Sequence, residues 1–163
     1  RTSQPWRSSR ASSACAEMRS VVQRVRSAKV SVDGAVTGEI ARGLLVYLGI
    51  GKGDTDADRV WLLDKIVGLR IFENDAGKMD KSVIDVGGAL LVVSQFTLYG
   101  DVTRGRRPSF DGAMMPAEAN AMYLSFLSAA RAVLPVQCGR FGADMMVSSE
   151  NDGPVTMVLD SKS

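Results

Sequence analysis

Hydroxyl and amide side chains interrupt two strongly apolar parts of the sequence, and they are the first candidates for chemistry. Ser94, Gln95 and Thr97 follow the apolar run ALLVV, near the carboxyl end of a predicted buried strand. Polar groups at such strand ends commonly line a cleft in α/β proteins. The second segment reads NDGPVT over residues 151–156. Because glycine permits unusual dihedrals and proline lacks a backbone donor and is sometimes cis, we expect an unusual backbone there.

The sequence contains no histidine. This absence removes Ser-His-Asp and Cys-His mechanisms, histidine-based zinc sites and imidazole proton transfer. The two cysteines, Cys15 and Cys138, form no C-x-x-C spacing, so neither a metal site nor a disulfide framework is predicted. We interpret Cys138 as a small core-like residue. A catalytic site must therefore use carboxylates, lysines, hydroxyls, amides, backbone dipoles or the substrate itself.

Composition places these residues in one globular domain. The chain has 163 residues, 45% hydrophobic and 23% charged, with a mean hydropathy of +0.03. These values exclude a disordered chain and a small disulfide scaffold. A membrane-spanning helix needs roughly 18 consecutive apolar residues, and the sequence has no such run. We therefore expect a soluble protein with a full hydrophobic core.

The amino-terminal part of the chain differs from the rest. Residues 1–17 hold three arginines, five serines and one acidic residue, without apolar periodicity. We interpret them as an extension left by cloning or by an upstream mis-start, with an organelle transit peptide as the alternative. The predicted domain spans residues 18–163. Without the extension, 17 basic and 17 acidic residues remain. Nucleic acid would then bind through a local patch rather than through net charge.

Alternating strands and helices must position the polar segments. An Asp33-Gly34 pair between alternating apolar residues predicts a hairpin. Residues 100–115 lack periodicity and predict a long loop, and Pro116 suits the first position of a helix that runs to about Leu134. An earlier helix is predicted from Asp54 or Thr55 to Leu69. Residues 143–160 predict a strand, a turn at Asn151–Pro154 and a second strand. The remaining predicted strands cover residues 19–26, 43–51, 70–73, 82–86, 89–99 and 135–139.

Both predicted helices carry an apolar stripe that would face a sheet. In the first helix this stripe consists of Val60, Leu63, Ile66 and Val67. In the second helix it consists of Ala119, Met122, Tyr123, Phe126, Leu127, Ala130 and Val133.

The motifs SQFTL (residues 94–98) and NDGPVT resemble those of the D-aminoacyl-tRNA deacylase family, homodimeric enzymes of chiral proofreading. RRPSF, GRFGADM and the opening MRSVVQRV are also similar, and the resemblance covers Met18 to Ser161. It implies an α/β fold of the deacylase type. In this fold two mixed sheets and two main helices form a layered β/β/α sandwich. It also implies a cytoplasmic homodimer that acts on aminoacyl-tRNA, without metal, cofactor, membrane or DNA.

The resemblance implies hydrolysis of the ester between a D-amino acid and the 3′-terminal adenosine of tRNA, and removal of glycine from non-cognate tRNA. Ser94, Gln95, Phe96 and Thr97 match the catalytic motif. Since a serine nucleophile needs a base, we interpret Ser94 and Gln95 as groups that place the ester. Backbone N–H groups near Phe96 would stabilise the oxyanion, Thr97 would add a hydrogen bond, and the RNA 2′-hydroxyl would activate or position water.

Chiral selectivity is implied for the second motif. Gly153 and Pro154 would reach across the dimer interface into the partner's pocket, with Val155 and Thr156 in the same segment. Their cis geometry would present backbone carbonyls that exclude the side chain of an L-amino acid. Arg24 matches the family arginine that helps to hold this segment.

Plainer interpretations stay open for these residues. The alternative for Ser94 and Gln95 is that they merely satisfy backbone groups at a strand end, and the alternative for Gly153-Pro154 is an ordinary hairpin turn. Arg104, Arg106 and Arg107 fit either a solvated loop or phosphate contacts with tRNA.

Two other functions compete with the deacylase. A non-catalytic tRNA-binding or editing-like module would share the fold without turnover. A generic serine esterase is disfavoured because histidine and a G-x-S-x-G motif are both missing.

Overall fold

The computed structural model describes residues 17–161, so the predicted extension lies outside the described residues except for Glu17. Within this range the chain forms eight strands, two α-helices and a short 3₁₀ turn at Phe96–Tyr99. The elements are β1 Arg19–Val32, β2 Ala35–Ile40, β3 Gly43–Gly49, α1 Asp56–Gly68, β4 Phe72–Glu73, β5 Met79–Lys81, β6 Ala89–Ser94, α2 Pro116–Arg131, β7 Val136–Cys138 and β8 Met146–Asp160.

Six of these strands form one mixed sheet organised around the long strand β1. One edge of β1 pairs antiparallel with β8, from Arg19 opposite Asp160 to Ser31 opposite Met146. The other edge pairs antiparallel with β3 and then with β2. Beyond β3, strands β6 and β7 run parallel. Strands β4 and β5 form a separate two-stranded hairpin.

Both faces of the central strands are buried, which explains their nearly continuous apolar sequences. In β3, Leu44, Val46 and Leu48 pack in the core shared with the two helices, whereas Leu45 faces a second core. The second core also includes residues of β1, β2 and β6, because this part of the sheet folds over the central strands. The layered α/β fold with mixed strands and two main helices is therefore confirmed.

Gly38 shows how closely the folded part of the sheet approaches the central strands. A Cβ atom at this position would lie 2.6 Å from the carbonyl oxygen of Cys138 and 3.1 Å from the side chain of Leu91. Only glycine allows β2 to lie at this distance from β6 and β7.

The helices begin where the sequence predicted. The Asp58 carboxylate accepts the N–H of Thr55 at 2.8 Å, which caps α1. Pro116 is the first residue of α2. For two residues of the predicted apolar stripes, the predicted burial is wrong. Val60 is 55% exposed and Leu62 is buried in its place, while Val133 lies beyond α2 and is 49% exposed. Neither helix within residues 17–161 has the length and apolar character that crossing a membrane requires.

Of two further predicted strands, one is absent and the other is shorter than predicted. Residues 82–86 form turns instead of a strand, and the Asp85 carboxylate accepts the N–H of Ser82 at 2.9 Å. The most apolar strand stops at Ser94, and the chain turns into the 3₁₀ segment Phe96–Tyr99. The polar motif therefore leaves the strand after Ser94, and Gln95, Phe96 and Thr97 lie outside it.

The predicted turn at Asn151–Pro154 is also wrong. β8 is one strand of 15 residues that pairs with β1 on both sides of this segment. Between the pairs Gln23–Thr156 and Val25–Asn151 the register shifts, so residues 152–155 form an irregular bulge. Because β1 continues past the bulge, the chain resumes pairing instead of reversing.

Candidate active site

A largely apolar cavity of about 330 Å³ lies where the parallel strands β3 and β6 end. Leu48 and Ser94 are paired residues of these strands, and both line the cavity. None of the lining side chains is ionisable. The lining consists of Leu48, Ile50, Ser94, Gln95, Phe96, Phe110, Ala113, Met114, Met115, Pro116, Ala119, Phe141 and Gly142.

The SQFT segment forms the polar edge of this cavity. The N–H of Gln95 donates to the Leu48 carbonyl at 2.8 Å and anchors the end of β6. The Gln95 side-chain amide donates to the Thr97 hydroxyl. The N–H groups that open a helical turn have no acceptor within it. Those of Phe96 and Thr97 are therefore candidates for an oxyanion site.

Tyr99 is the last residue of this 3₁₀ turn, and it is buried. Its side chain is 8% exposed, and its hydroxyl donates to the Glu17 carbonyl. Burial raises the pKa of Tyr99 far above its usual value. The phenol therefore stays neutral and supports the turn rather than exchanging protons.

Two aromatic rings meet at the cavity mouth. Phe96 is 58% exposed, and its ring packs edge-on against Phe110, with centroids 5.0 Å apart and planes at 70°. Phe110 belongs to the predicted loop and was not identified as a site residue. Nor were Met114, Met115 and Phe141, which complete the apolar wall. A loop without periodicity gives no signal of which apolar residues turn inward.

Arg104, Arg106 and Arg107 lie on the exposed part of the same loop. None of them forms an ion pair with a carboxylate of residues 17–161. Asp101 at the base of the loop accepts the N–H of Thr103 at 2.9 Å, and this hydrogen bond lowers the pKa of the Asp101 carboxyl. The arginines therefore present their charge to solvent on the loop that closes the cavity.

The bulge in β8 carries the second motif. The Gly153-Pro154 peptide bond is cis, and Gly153 has a φ of 126°, a conformation that favours glycine. Both residues are exposed. Within the described chain, no residue of 151–156 lines the cavity beside Ser94. The two motifs therefore form two separate surfaces of a single chain.

Arg24 holds this bulge from beneath. The residue is 6% exposed, and its guanidinium donates from Nη1 to the Ile71 carbonyl at 2.7 Å and from Nε to the Asp152 carbonyl at 3.2 Å. A Cβ atom at Gly153 would lie 3.1 Å from its Nη2. Because an unpaired buried charge is costly, these partners fix the guanidinium directly under the glycine.

The residues after Pro154 return the chain to the strand. Val155 is 8% exposed and packs in the core shared with the helices, and its N–H donates to the Asn151 side chain at 3.3 Å. The Thr156 hydroxyl accepts the side-chain amides of Gln23 and Asn151, each at 3.2 Å. In the single chain Val155 and Thr156 thus anchor the bulge.

Of the predicted catalytic residues, the structure brings Ser94, Gln95 and Phe96 to one cavity, and Thr97 joins them through Gln95. Of the selectivity residues, it brings Arg24 to Gly153. Among residues 17–161, no three His, Cys, Asp or Glu side chains converge on a metal-sized site. The expectation that no metal takes part stays a prediction.

Fold and site together define a layered α/β protein with an apolar cleft and a neutral, hydrogen-bonding edge at the ends of parallel strands. Residues 21–160 match the family model described as D-Tyr-tRNA(Tyr) deacylase. The chain belongs to this family, so the resemblance drawn from SQFTL and NDGPVT is confirmed.

Individual relatives agree with this assignment. The chain is 60% identical over 146 residues to a D-aminoacyl-tRNA deacylase of Clostridium tetani, covering 89% of this chain and 98% of the relative. It is 56% identical over 147 residues to one of Sorangium cellulosum, covering 89% and 98%.

Two solved structures share the fold. One is a c-Myc DNA Unwinding Element Binding Protein, with a TM-score of 0.83, 43% identity, and coverage of 87% of this chain and 97% of that one. The other is a probable eukaryotic D-amino acid tRNA deacylase, with a TM-score of 0.75, 20% identity, and coverage of 88% and 99%. At 20% identity the second likeness concerns the fold alone.

Proposed function

We propose that this protein hydrolyses the ester bond between a D-amino acid and the 3′-terminal adenosine of tRNA, in the cytoplasm where aminoacyl-tRNA is used. The observation that carries the proposal is the Gln95–Thr97 hydrogen-bonded edge on a cavity without ionisable side chains. Such a site is suited to placing an ester and stabilising its oxyanion. The names of the curated relatives, D-aminoacyl-tRNA deacylase, give the substrate class.

The proposed reaction needs no protein nucleophile. Water adds to the ester carbonyl, whose developing oxyanion receives hydrogen bonds from the N–H groups of Phe96 and Thr97. The bond between the carbonyl carbon and the ribose 3′-oxygen then breaks, and that oxygen takes the proton released by water. Ser94 and Gln95 hold the ester in place, and the adjacent 2′-hydroxyl of the RNA orients the water. Free D-amino acid and tRNA are released.

Rejection of L-amino acids is assigned to Gly153 and Pro154 of a partner subunit. Their backbone carbonyls would stand where the side chain of an L-amino acid would have to go, so discrimination rests on a clash. Glycine has no side chain to clash, which is why mischarged glycyl-tRNA is a second proposed substrate.

A homodimer follows from the same assignment. Gly153 and Pro154 are exposed and lie outside the cavity of their own chain. They belong to β8, whose Val158 is 76% exposed and Met146 74% exposed. Exposed apolar side chains on a strand with one paired edge are typical of a surface that pairs with another chain. Association of two copies would cover this strand and bring each bulge to the other cavity.

The competing function is a tRNA-binding module without turnover. To separate the two, D-tyrosyl-tRNA is incubated with a hundredth of its amount of protein, and free D-tyrosine is measured. We expect release of many equivalents for each protein molecule, and strong loss of release in Gln95→Ala, whose amide no longer contacts Thr97. Binding of tRNA without release would establish the module. Single-stranded DNA as competitor tests whether the site prefers tRNA.

A further inference from the structure

Phe110 lies at the junction between the cavity and the arginine-bearing loop. Its ring contacts Phe96 edge-on at 5.0 Å between centroids, and both rings line the cavity. Gly100 leaves the space that the Phe110 ring needs, because a Cβ atom at Gly100 would lie 3.3 Å from the ring and 3.1 Å from the Thr97 carbonyl. Phe110 is therefore seated directly against the 3₁₀ turn that carries the polar edge.

The segment 101–109, here called the arginine arm, is closed by backbone hydrogen bonds. The N–H of Asp101 donates to the Ser109 carbonyl at 2.8 Å, and the N–H of Ser109 donates back at 2.9 Å. A two-way backbone pair of this kind makes the arm a small, defined hairpin rather than a loose loop. Arg104, Arg106 and Arg107 all lie between its two ends.

The chain after Phe110 is fixed to the body of the protein. The N–H of Lys52 donates to the Gly112 carbonyl at 2.9 Å, and the N–H of Met114 donates to the Ile50 carbonyl at 3.0 Å. Phe110 thus connects a closed arm on one side with a fixed cavity wall on the other. The Phe110 ring is therefore the contact between this part of the loop and Phe96.

We propose that Phe110 is the positioning residue of the site, which holds Phe96, and with it the N–H groups of Phe96 and Thr97, in register with the ester. This role rests on the proposed deacylase function. Phe110 acts through Phe96 rather than on the reacting atoms. Edge-to-face pairs favour one relative orientation of two rings, and small displacements of catalytic groups lower rates strongly.

The proposal separates two parts of catalysis. Holding the N–H groups in place affects the chemical step, so loss of the Phe110 ring should lower kcat. Contacts between the arm and phosphates affect binding, so loss of the arginines should raise KM. The single-turnover rate constant with enzyme in saturating excess distinguishes positioning from a general loss of structure, because a smaller fraction of active enzyme lowers the steady-state kcat but leaves that rate constant unchanged.

The experiment compares Phe110→Leu with Phe110→Tyr in single-turnover and steady-state hydrolysis. D-tyrosyl-tRNA and 3′-O-D-tyrosyl-adenosine, which has no phosphate, are the two substrates. We expect Phe110→Leu to lower kcat about tenfold on both substrates with KM unchanged, and Phe110→Tyr to retain kcat within about twofold. A triple Ala variant of Arg104, Arg106 and Arg107 should raise KM for the tRNA alone.

Gly100→Ala provides a second variant, since it keeps every side chain of the site and crowds the Phe110 ring. We expect the same direction, a lower kcat with unchanged KM. An unchanged kcat in both Phe110→Leu and Gly100→Ala, or an equal loss in Phe110→Tyr and Phe110→Leu, would overturn the positioning role while the deacylase function stands. An inactive wild-type protein would instead refute the proposed function, and this inference with it.

Discussion

At the residue scale, the cavity has side chains that do not titrate, whereas the buried charge of Arg24 lies under the bulge in β8. The cavity is lined by hydroxyl, amide, apolar and backbone groups only. Arg24 is buried, but its donors are directed to backbone carbonyls of Ile71 and Asp152. The proposed catalytic roles and the structural support of the bulge therefore fall on different residues, and their substitutions should have different consequences.

Ser94→Ala tests whether the hydroxyl places the ester or attacks it. Removal of a serine nucleophile costs roughly a millionfold in kcat in a serine hydrolase. Loss of one positioning hydrogen bond costs about ten- to hundredfold. We expect Ser94→Ala to fall in the second range in single-turnover deacylation of D-tyrosyl-tRNA. A burst of covalent D-tyrosyl enzyme in the wild type would contradict this expectation.

Arg24→Ala should destabilise the protein because it leaves two carbonyls and the Asp152 carboxylate without their buried partner. Breaking a buried charge pair typically costs about 3–5 kcal/mol in the free energy of unfolding. Arg26 is the matched control, because its side chain is 71% exposed and pairs with the same Asp152 carboxylate at 3.6 Å. Arg26→Ala should change the free energy of unfolding by less than about 1 kcal/mol.

Urea unfolding at one fixed protein concentration measures both Arg24→Ala and Arg26→Ala. Equal effects of the two substitutions would show that the burial of Arg24 does not stabilise the bulge. Lower activity in Arg24→Ala alone, under conditions where both variants stay folded, would place its role in the bulge rather than in global stability.

At the element scale, both motifs lie in segments that depart from regular strands, namely the 3₁₀ turn after β6 and the bulge in β8. The sequence predicted the polar motif near the end of β6 correctly, because polar side chains directly after an apolar strand commonly line a cleft in α/β proteins. It predicted the bulge as a turn, because Gly-Pro beside Asn and Asp is typical of turns. A bulge forms instead of a turn because β1 is long enough to pair with β8 on both sides of the segment.

Features set by neighbouring residues were predictable, and features set by distant contacts were not. The starts of the two helices depend on local capping at Thr55 and on Pro116, so they were predicted correctly. The burial of Phe110 and Met114 depends on contacts distant in sequence, and the loop that contains them has no periodicity to reveal an inward face. The cavity wall was therefore not predictable from the sequence.

The arginine arm should contribute salt-dependent binding of tRNA. Each phosphate contact steepens the fall of log affinity with log salt by about 0.7 to 0.9. Replacing Arg104, Arg106 and Arg107 together by alanine should therefore reduce the slope of log KM against log salt by about 2. Arg131→Ala, at the exposed end of α2, is the control and should leave the slope unchanged. An unchanged slope in the triple variant would show that the arm is only a solvated loop.

At the scale of the whole molecule, one chain holds two motifs that do not meet within it. The SQFT edge lies at the cavity, and Gly153-Pro154 lies on an exposed bulge of β8. In a symmetric dimer the bulge of each chain would lie at the cavity of the other chain, so the dimer would hold two complete sites. The proposed selectivity therefore depends on assembly.

Mixing of two variants tests the assembly directly. Gln95→Ala should disable the cavity of its own chain, and Gly153→Ala, where a Cβ atom would approach Arg24, should weaken rejection of L-tyrosyl-tRNA by the partner's cavity. A mixed dimer has one site with both substitutions and one site with neither. After subunit exchange of equal amounts, half of the Gly153→Ala chains face an intact bulge, so hydrolysis of the L-ester per Gly153→Ala chain should fall by about half. If it stays unchanged although mixed dimers form, the two motifs do not work across subunits.

The central claim is metal-free, chirally selective ester hydrolysis, and paired deacylation of D-tyrosyl-tRNA and L-tyrosyl-tRNA tests it most directly. Both are incubated with the same low enzyme concentration, with and without a chelator, and release of tyrosine is followed. We predict rapid loss of the D-ester alone, at the same rate with chelator present. Equal loss of both esters would contradict the selectivity assigned to Gly153 and Pro154, and loss of activity on chelation would contradict the metal-free site.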